Sequence, residues 1–309
     1  MEQRSVLRRR IEVAEELRSV TGTMKSLAAV SVHQYERSVL AVHEYLRGIE
    51  LGLQIVLRAD PRLARPRPPA HDGRELLVVF GSARGLCGPL NRVVAHEADG
   101  VFDGRGTGST TVIASGARMA GELEAVGLDA AAVLDVPASA DGIGPLVEDL
   151  LVLIDEWRAA GPSGRVVLVH PRPRAGGRQY DPAVVDLLPH DATRLGALAD
   201  APWPTRQLPA TRGDPRAVFA GLGRQLLFVE LHRAFAETQV CIHRARLAAM
   251  QAAEDSIGQR LDELEVRFAR QRQATITSEL ADVLAGYEAA GGGTLVGGPP
   301  PGRVRSPRR

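Results

Sequence analysis

Glycines crowd into the stretch from Gly81 to Asn91, which reads GSARGLCGPLN and follows the apolar run LLVVF. A glycine-rich turn after a strand can hold a phosphate, because its backbone N–H groups approach an anion closely. The spacing here is GxxxGxxG, whereas a dinucleotide-binding loop needs GxGxxG, and Gly88 is followed by Pro89 instead of the lysine of a P-loop. These failures favour a structural turn, in which glycines allow close packing, over phosphate binding.

The remaining groups that could do chemistry do not form a recognisable set. Cys87 lies near Arg84, whose charge could activate the thiol, although a small buried apolar residue is the favoured interpretation. The second cysteine, Cys241, is distant in the sequence, and the eight histidines lack the spacing of metal ligands. The sequence therefore predicts no catalytic residues, no metal site and no cofactor.

Composition excludes several classes of partner. The 309 residues carry a formal net charge of +1, which gives no overall attraction to nucleic acid or anionic lipid. No apolar stretch approaches the ~20 residues that cross a bilayer, and the first residues lack the apolar core of a secretory signal. With 44% hydrophobic residues the chain can bury a core in one or two domains. We expect no binding of nucleic acid and no direct membrane insertion.

The N-terminal part of the chain predicts one long helix. Its apolar residues recur at alternating steps of four and three, which is typical of a coiled-coil seam. An extra step near Ala28 would locally unwind a supercoil. The stripe comprises Val13, Leu17, Val20, Met24, Ala28, Val32, Tyr35, Val39, Val42, Leu46, Ile49, Leu53 and Val56.

A second long helix is predicted at the other end of the chain. It starts at Asp214 and Pro215, a cap residue followed by proline at the first helical position. Its apolar stripe comprises Ile257, Leu261, Leu264 and Phe268. A helix with a single apolar stripe needs a partner, so we expect the two helices to pair as an antiparallel coiled coil.

The middle of the chain alternates short apolar runs with helical patterns. The runs LLVVF, TTVIAS, AAVLDV and RVVLVH predict buried strands, and ARMAGELEAV and GPLVEDLLVLIDEW predict helices between them. Such alternation is typical of a small, mainly parallel, Rossmann-like α/β domain. The expected organisation is a coiled-coil helix at 1–60, a Pro-rich linker at 61–73, the α/β domain at 74–205, a second coiled-coil helix at 214–290 and a disordered basic tail at 291–309.

One turn of the C-terminal helix departs from the apolar pattern. In the stretch RQRQATITSELADVLAG, from Arg270 to Gly286, polar residues occupy more than a full turn where a seam would be apolar. These residues are Gln271, Arg272, Gln273, Thr275 and Thr277. Burying a guanidinium or an amide without partners is costly, so this turn must face water or a polar partner.

Three motifs together resemble the gamma subunits of F-type rotary ATP synthases. GLCGPLN at 85–91 and RQATITSELADVLAG at 272–286 are similar to that family's glycine loop and C-terminal helix. TGTMKSLAAVS at 21–31 is similar to its methionine-bearing N-terminal helix, and Arg246 matches an arginine that precedes the Arg-Gln pair. The resemblance covers essentially the whole chain.

The resemblance implies a central rotor that does no chemistry itself. Such a subunit couples ion flow through a membrane c-ring to ATP synthesis or hydrolysis in a ring of alpha and beta subunits. An epsilon subunit lies at its foot, on the cytoplasmic face of the bacterial inner membrane.

The resemblance also implies roles for particular residues. The catch for the beta subunit would be Arg272, Gln273, Thr277 and Glu279. The bearing in an apolar sleeve would be Leu280, Val283 and Leu284. Coupling along the coil would involve Met24 and Arg246. The foot residues would be Arg84, Gly85, Leu86, Cys87, Gly88 and Asn91, with Gly85 and Gly88 providing turn geometry.

The chain departs from the family pattern at two positions of the glycine loop. Ala83 stands where the family usually has an aspartate, and Pro89 stands where a further glycine is common. These departures favour an alternative form of the synthase and leave both protons and sodium ions open as the coupling ion. The competing interpretations are a coiled-coil scaffold with a small ligand-binding α/β domain, and a nucleotide-dependent enzyme. Co-purification with alpha and beta subunits, and ATP binding by the isolated chain, distinguish them.

Overall fold

The chain forms two long helices and a five-stranded sheet flanked by shorter helices, in a computed structural model that describes residues 2–64, 74–102, 110–161, 164–174, 180–207, 209 and 212–289. The helices are α1 (Glu2–Ala59), α2 (Leu90–Phe102), α3 (Ala117–Ala125), α4 (Ile143–Ala159), α5 (Ala192–Asp200) and α6 (Pro215–Ala289). The strands are β1 (Glu75–Phe80), β2 (Thr110–Ser115), β3 (Ala132–Leu134), β4 (Arg165–Pro173) and β5 (Tyr180–Leu188). The expected tail at 291–309 and most of the Pro-rich linker lie outside the described residues.

The sheet is mixed, with strand order β3-β2-β1-β4-β5. The first four strands pair in parallel, and β5 pairs antiparallel with β4 at one edge. All six residues of β1 are buried, because crossover helices cover both faces of a central parallel strand. The four predicted strands are present, which confirms a mainly parallel α/β fold, but β3 lies at the edge of the sheet and is only partly buried, which corrects its expected burial. The sequence does not predict β5, since Asp181, Pro182 and Asp186 interrupt its apolar residues and only an edge strand tolerates them.

Two apolar cores lie on opposite faces of the sheet. On one face, α4 and the middle of α6 pack against β1 and β4, and the rings of Phe80 and Phe235 meet edge to face with centroids 5.3 Å apart. On the other face, α2 and α3 pack against Leu77, Val79 and their neighbours. The middle of α6 is therefore part of the core of the α/β domain as well as one helix of the coiled coil.

The chain divides into two compact units, residues 20–254 and residues 1–19 with 255–309. Within the larger unit α1 and α6 run antiparallel, and ion pairs join Lys25 to Glu254 and Glu36 to Arg244. This arrangement confirms the predicted antiparallel pairing of the two terminal helices.

The buried stripe of α1 confirms part of the predicted seam and corrects the rest. The confirmed positions are buried: Ala28, Val32, Tyr35, Leu46, Ile49, Leu53 and Val56. Val13, Leu17 and Val20 are instead about half exposed. The less exposed residues there are Leu7, Ile11, Ala14 and Thr21, which continue at the same heptad spacing through Lys25 to Ala28. The extra step expected near Ala28 is absent. The seam instead passes through Lys25, whose charge is neutralised by Glu254.

In the smaller unit, the predicted C-terminal seam is confirmed. Leu261 and Leu264 are buried, and the Arg4 guanidinium lies 6.0 Å from the centre of the Phe268 ring. Since α1 begins at Glu2 among the described residues, α6 beyond about residue 275 has no described α1 residue beside it. The last stretch of α6, roughly four turns, is therefore a single helix in the described part of the chain.

A buried histidine on β4, His170, has an unsatisfied ring nitrogen. The side chain is 1% exposed, and its Nδ1 lies 3.2 Å from the Pro171 carbonyl oxygen. Its Nε2 has no hydrogen-bond partner among the described residues. Burial, followed by the charge of Arg172, lowers its pKa to about 3. Below pH ~6.5 the unfolded chain binds a proton here that the folded chain does not, so stability decreases as the pH falls toward 3.

We expect His170→Leu to reduce the loss of stability in mild acid. A proton bound only by the unfolded chain costs about 1.4 kcal/mol per pH unit, so His170 lowers the free energy of unfolding by about 2 kcal/mol at pH 5. The measurement is denaturant unfolding at pH 7 and pH 5. His96→Gln, which removes an exposed histidine from α2, is the control. An equal loss in wild type and both variants would contradict the assignment.

Candidate functional site

The glycine loop joins β1 to α2 and begins at the carboxyl edge of the sheet. The Gly81 backbone N–H donates to the Ser115 carbonyl oxygen at 3.1 Å, which extends the pairing with β2 beyond β1. A Cβ at Gly81 would lie 2.4 Å from Met119 Sδ and 2.8 Å from Met119 Cβ. A Cβ at Gly116, whose φ is 98°, would lie 2.6 Å from the Ser82 carbonyl carbon. Both positions therefore require glycine, because the segments that follow β1 and β2 touch there.

Asn91 fastens the loop to the first turn of α2. Its Oδ1 accepts a hydrogen bond from the Ser82 backbone N–H at 3.0 Å, and its Nδ2 donates to the Ser82 hydroxyl at 2.9 Å. The Ser82 hydroxyl donates to the Arg84 carbonyl oxygen at 2.8 Å, and Cys87 Sγ lies 3.4 Å from that hydroxyl. The loop thus satisfies these polar groups internally, which supports the structural-turn interpretation.

Two residues of the loop have a left-handed backbone, Gly88 with φ of 63° and Leu86 with φ of 65°. Glycine adopts this conformation freely, whereas a leucine there costs about 1–2 kcal/mol. The Leu86 side chain is also exposed. Gly85 has no positive φ, and a Cβ there would lie 3.3 Å from Cζ of Arg118, the end of a flexible side chain. Turn geometry and close packing therefore depend on Gly81 and Gly88, which corrects the expected role of Gly85.

Helix α6 fills the crevice in which Rossmann-like folds bind ligands. Helices α2 and α3 cover one face of the sheet and α4 covers the other, so the direction of the connections reverses between β1 and β4. In folds of this kind, ligands bind at that reversal, beyond the carboxyl ends of the strands. Here Cys87 and Leu90 pack against Cys241 and Ile242 of α6. Cys241 Sγ also donates to the Pro171 carbonyl oxygen on β4 at 3.5 Å. The crevice is closed by protein, and the expected burial of Cys87 is confirmed.

The two residues expected to couple the coil, Met24 and Arg246, lie at different levels of the helix pair. Arg246 is partly buried, and its Nη1 lies 3.3 Å from Nδ1 of His243, beside the glycine loop. The residue after Met24, Lys25, pairs with Glu254, which lies about two turns further along α6 than Arg246. The structure therefore brings Arg246 to the foot residues and not to Met24.

The polar turn of α6 exposes the four residues of the expected catch: Arg272, Gln273, Thr277 and Glu279. Gln271 and Thr275 are partly buried and continue the seam. The Thr277 hydroxyl donates to the Gln273 carbonyl oxygen at 2.9 Å, so this hydroxyl bonds to the backbone of the preceding turn of the same helix. Arg272 and Gln273 lie beside the seam, which corrects their expected position within it.

Apolar side chains project from the single-helix end of α6. They recur at steps of four, three and four, and each is more than half exposed: Ile276, Leu280, Val283 and Tyr287. Leu284, beside them, is equally exposed. An apolar stripe of this length on an unpaired helix is typical of a surface that another protein covers. The stripe includes the three expected bearing residues.

Neither a metal cluster nor a bilayer-spanning helix occurs in the described ranges. No three His, Cys, Asp or Glu side chains there are placed to hold a metal ion. No helix there is both long and apolar enough to cross a membrane.

Sequence reasoning missed several residues around the glycine loop. Gly116 could have been identified, because it directly follows the strand TTVIAS that pairs with β1. Gln239 and His243 could not, because only the packing of α6 on the sheet brings them to the loop.

Comparisons with known proteins agree over nearly the whole chain. The family described as ATP synthase matches residues 3–290. The ATP synthase gamma chain of Methylibium petroleiphilum is 27% identical over 292 residues, which cover 92% of this chain and 98% of the relative. The protein of the same name from Heliobacterium modesticaldum is 25% identical over 294 residues, with the same two coverages of 92% and 98%.

Two solved assemblies contain chains of similar fold. One is the Euglena gracilis mitochondrial ATP synthase, OSCP/F1/c-ring in rotational state 3, with a TM-score of 0.60, 15% identity, and coverage of 96% of this chain and 97% of that chain. The other is the central stalk/c-ring of the Tetrahymena thermophila mitochondrial ATP synthase, with a TM-score of 0.55, 17% identity, and coverage of 76% and 99%. At these identities the structures show the fold alone.

We expect Gly81→Ala and Gly85→Ala to differ in stability. The added methyl at Gly81 meets Met119 Sδ at 2.4 Å and should cost about 1–3 kcal/mol, as overpacked cores do. The methyl at Gly85 meets only a movable arginine end, so its cost should be within about 0.5 kcal/mol of zero. Thermal unfolding of the two variants measures the difference. Equal stability would show that Met119 moves freely aside.

Proposed function

The chain belongs to the ATP synthase family as a gamma-type central rotor subunit, and we propose that it transmits torque through the polar turn and the apolar end of α6. It is a non-catalytic subunit, because the catalytic sites of the complex belong to its partners. Those partners are the alpha and beta subunits, the epsilon subunit and the c-ring.

The apolar stripe at the end of α6 is the observation that carries this proposal. A single helix of roughly four turns is marginally stable in water by itself, so its exposed apolar side chains call for a surrounding protein. Hydrophobic contact is non-directional, so an apolar sleeve stabilises the helix without fixing its rotational angle. Leu280, Val283 and Leu284 therefore form a bearing in the alpha/beta ring.

The polar turn supplies the directional contact that a bearing lacks. Arg272 is exposed, and no carboxylate of the described residues pairs with it. A guanidinium forms charge-assisted, geometrically specific hydrogen bonds to a carboxylate. Arg272 and Gln273, supported by Thr277 and Glu279, engage an acidic and hydroxyl-bearing loop of one beta subunit at a time.

Torque reaches α6 through the core of the α/β domain. Phe235 and its neighbours on α6 are buried against β1 and β4, so rotation of the domain carries α6 with it. The foot residues around Leu86 and Gly88 seat the domain on the epsilon subunit and the c-ring. Leu86 is exposed in a strained conformation, which is a feature of contact sites.

The subunit is a peripheral part of the membrane-bound complex. We propose the cytoplasmic face of a bacterial inner membrane as its location and, from the departures at Ala83 and Pro89, an alternative form of the synthase. Affinity purification of the full chain from its host tests the assignment. Recovery of alpha and beta subunits supports the rotor, and recovery of the chain without them supports the scaffold.

Replacing Arg272 and Gln273 together by alanine should lower ATPase turnover and ion pumping by roughly one to two orders of magnitude. A charge-assisted hydrogen bond is worth about 1.5–3 kcal/mol, and about 1.4 kcal/mol corresponds to a tenfold change in rate. Folding should be retained, because both side chains are exposed. The measurement is the ATPase rate and ATP-driven ion pumping of the reconstituted complex.

Arg267→Ala is the matched control, since it removes another exposed arginine from the same helix. Its complex should turn over at the wild-type rate. Circular dichroism of the subunit checks the fold of each variant. Unchanged turnover and pumping in the double variant would exclude the catch, and an unfolded double variant would assign these residues to structure.

A further inference from the structure

A basic depression lies beside the glycine loop, at the carboxyl edge of the sheet. It has a volume of about 130 Å³ and is lined by the loop, the segment after β3, Tyr35 of α1 and one face of α6. The polar residues of its lining are Tyr35, Ser82, Arg84, Gln239, His243 and Arg246. A water molecule occupies about 30 Å³ in the liquid, so the depression has room for a small polyatomic ion.

Two arginines share the depression without a neutralising carboxylate. Neither Arg84 nor Arg246 forms an ion pair with Asp or Glu among the described residues. Burial and, to a smaller degree, the positive charge of Arg84 lower the pKa of Arg246, while the Cys87 thiol acts in the opposite direction. Arg246 is partly buried and Arg84 is exposed. Two like charges that line one space repel, so the site favours an anion.

The wall of the depression contains a buried amide that lacks an acceptor. Gln239 is 3% exposed, and its Nε2 has no hydrogen-bond partner among the described residues. Buried amide groups are rarely left unpaired, because desolvation is then uncompensated. Its Nε2 is itself covered, so a rotation of the Gln239 side chain would be needed to bring it to an oxygen atom in the depression.

The Arg246 guanidinium is held in place by a neutral histidine. Its Nη1 lies 3.3 Å from His243 Nδ1, and the His243 ring stacks on Tyr35 with centroids 5.5 Å apart. Burial and the charge of Arg246 lower the pKa of His243 to about 4, so at neutral pH the ring is neutral and Nδ1 can accept a hydrogen bond from the Arg246 N–H. Such support fixes a cation before a ligand arrives, which reduces the entropic cost of binding.

We propose that this depression, in which Arg84 and Arg246 supply the charged donors, binds a phosphate-class oxyanion, either inorganic phosphate or the terminal phosphate of a nucleotide. Guanidinium groups pair with phosphate through two parallel N–H···O bonds, so each arginine can bind two phosphate oxygens. The site is separate from the closed crevice between β1 and β4. It goes beyond the rotor function and does not depend on it.

Titration calorimetry of the full chain tests the proposal. Inorganic phosphate and ADP are added separately at constant ionic strength, with sodium chloride as the balancing salt, because screening weakens any charged contact. Saturable binding of phosphate that chloride does not reproduce supports the site. Binding of ADP but not of free phosphate assigns the ligand to a nucleotide, and no saturable binding of either overturns the proposal.

Three variants localise the binding. Arg246→Gln and Arg84→Gln should each weaken phosphate binding by about tenfold or more, which is the lower range for one charge-assisted hydrogen bond. Ala83→Asp places a tethered carboxylate in the depression and should abolish binding. Arg244→Gln, on the same helix but paired with Glu36, should leave the affinity within about twofold.

Stability without ligand gives a second readout. Arg246→Gln and Ala83→Asp relieve the repulsion between the two arginines, so both should unfold at a higher temperature than wild type in phosphate-free buffer. Phosphate should raise the unfolding temperature of wild type and of Arg244→Gln, should raise that of Arg246→Gln less, and should not raise that of Ala83→Asp. Equal phosphate responses in wild type, Arg246→Gln and Ala83→Asp would overturn the proposal.

Measurements on the assembled complex distinguish a free oxyanion in the depression from an acidic side chain of a partner subunit. Phosphate binding is compared between complexes that carry the wild-type chain and Ala83→Asp, so that binding at sites on other subunits cancels. A persisting difference supports an oxyanion site in the working enzyme. A difference seen in the free chain and lost on assembly would overturn it in favour of an acidic contact from a partner.

Discussion

The packing of the middle of α6 against the sheet is the contact on which the rest of the structure depends. Phe235 meets Phe80 at the centre of one core, and the same stretch of α6 carries the residues that pair with α1. One helix therefore belongs to the α/β domain and to the coil at the same time. A rotor needs this dual membership, because a torque applied to the domain passes into α6 through buried side chains and not through a flexible linker.

That contact also decides what the glycine loop can do. Side chains Cys241 and Ile242 close the crevice between β1 and β4, where a fold of this topology would otherwise hold a ligand. The loop's glycines then serve close packing, as Met119 against Gly81 shows. The fold has kept the strand order of nucleotide-binding proteins while a helix occupies the ligand position, which illustrates that fold alone does not imply function.

Strong local patterns made much of the fold predictable from the sequence. The buried runs of β1 and β4 and the heptad residues Leu261 and Leu264 each identify their element without knowledge of its neighbours. The N-terminal seam was wrong because α1 has two candidate stripes there, and the correct one contains Lys25, whose burial depends on Glu254, 229 residues away. Edge strand β5 and the depression beside the loop were missed for the same reason, since both are defined by long-range contacts.

The contrast between α6's two exposed surfaces gives a physical reason for keeping the proposed catch and the proposed bearing apart. An apolar bearing tolerates rotation because its contacts have no preferred direction, but for that reason it transmits little torque. In the proposed catch, hydrogen bonds from Arg272 and Gln273 would be directional, so they would resist rotation only at particular angles. If both kinds of contact lay on one helical turn, the helix would either be held at one angle or transmit little torque. In the proposed rotor, their separation along α6 would let the end of the helix turn while the polar turn acts on one partner at a time.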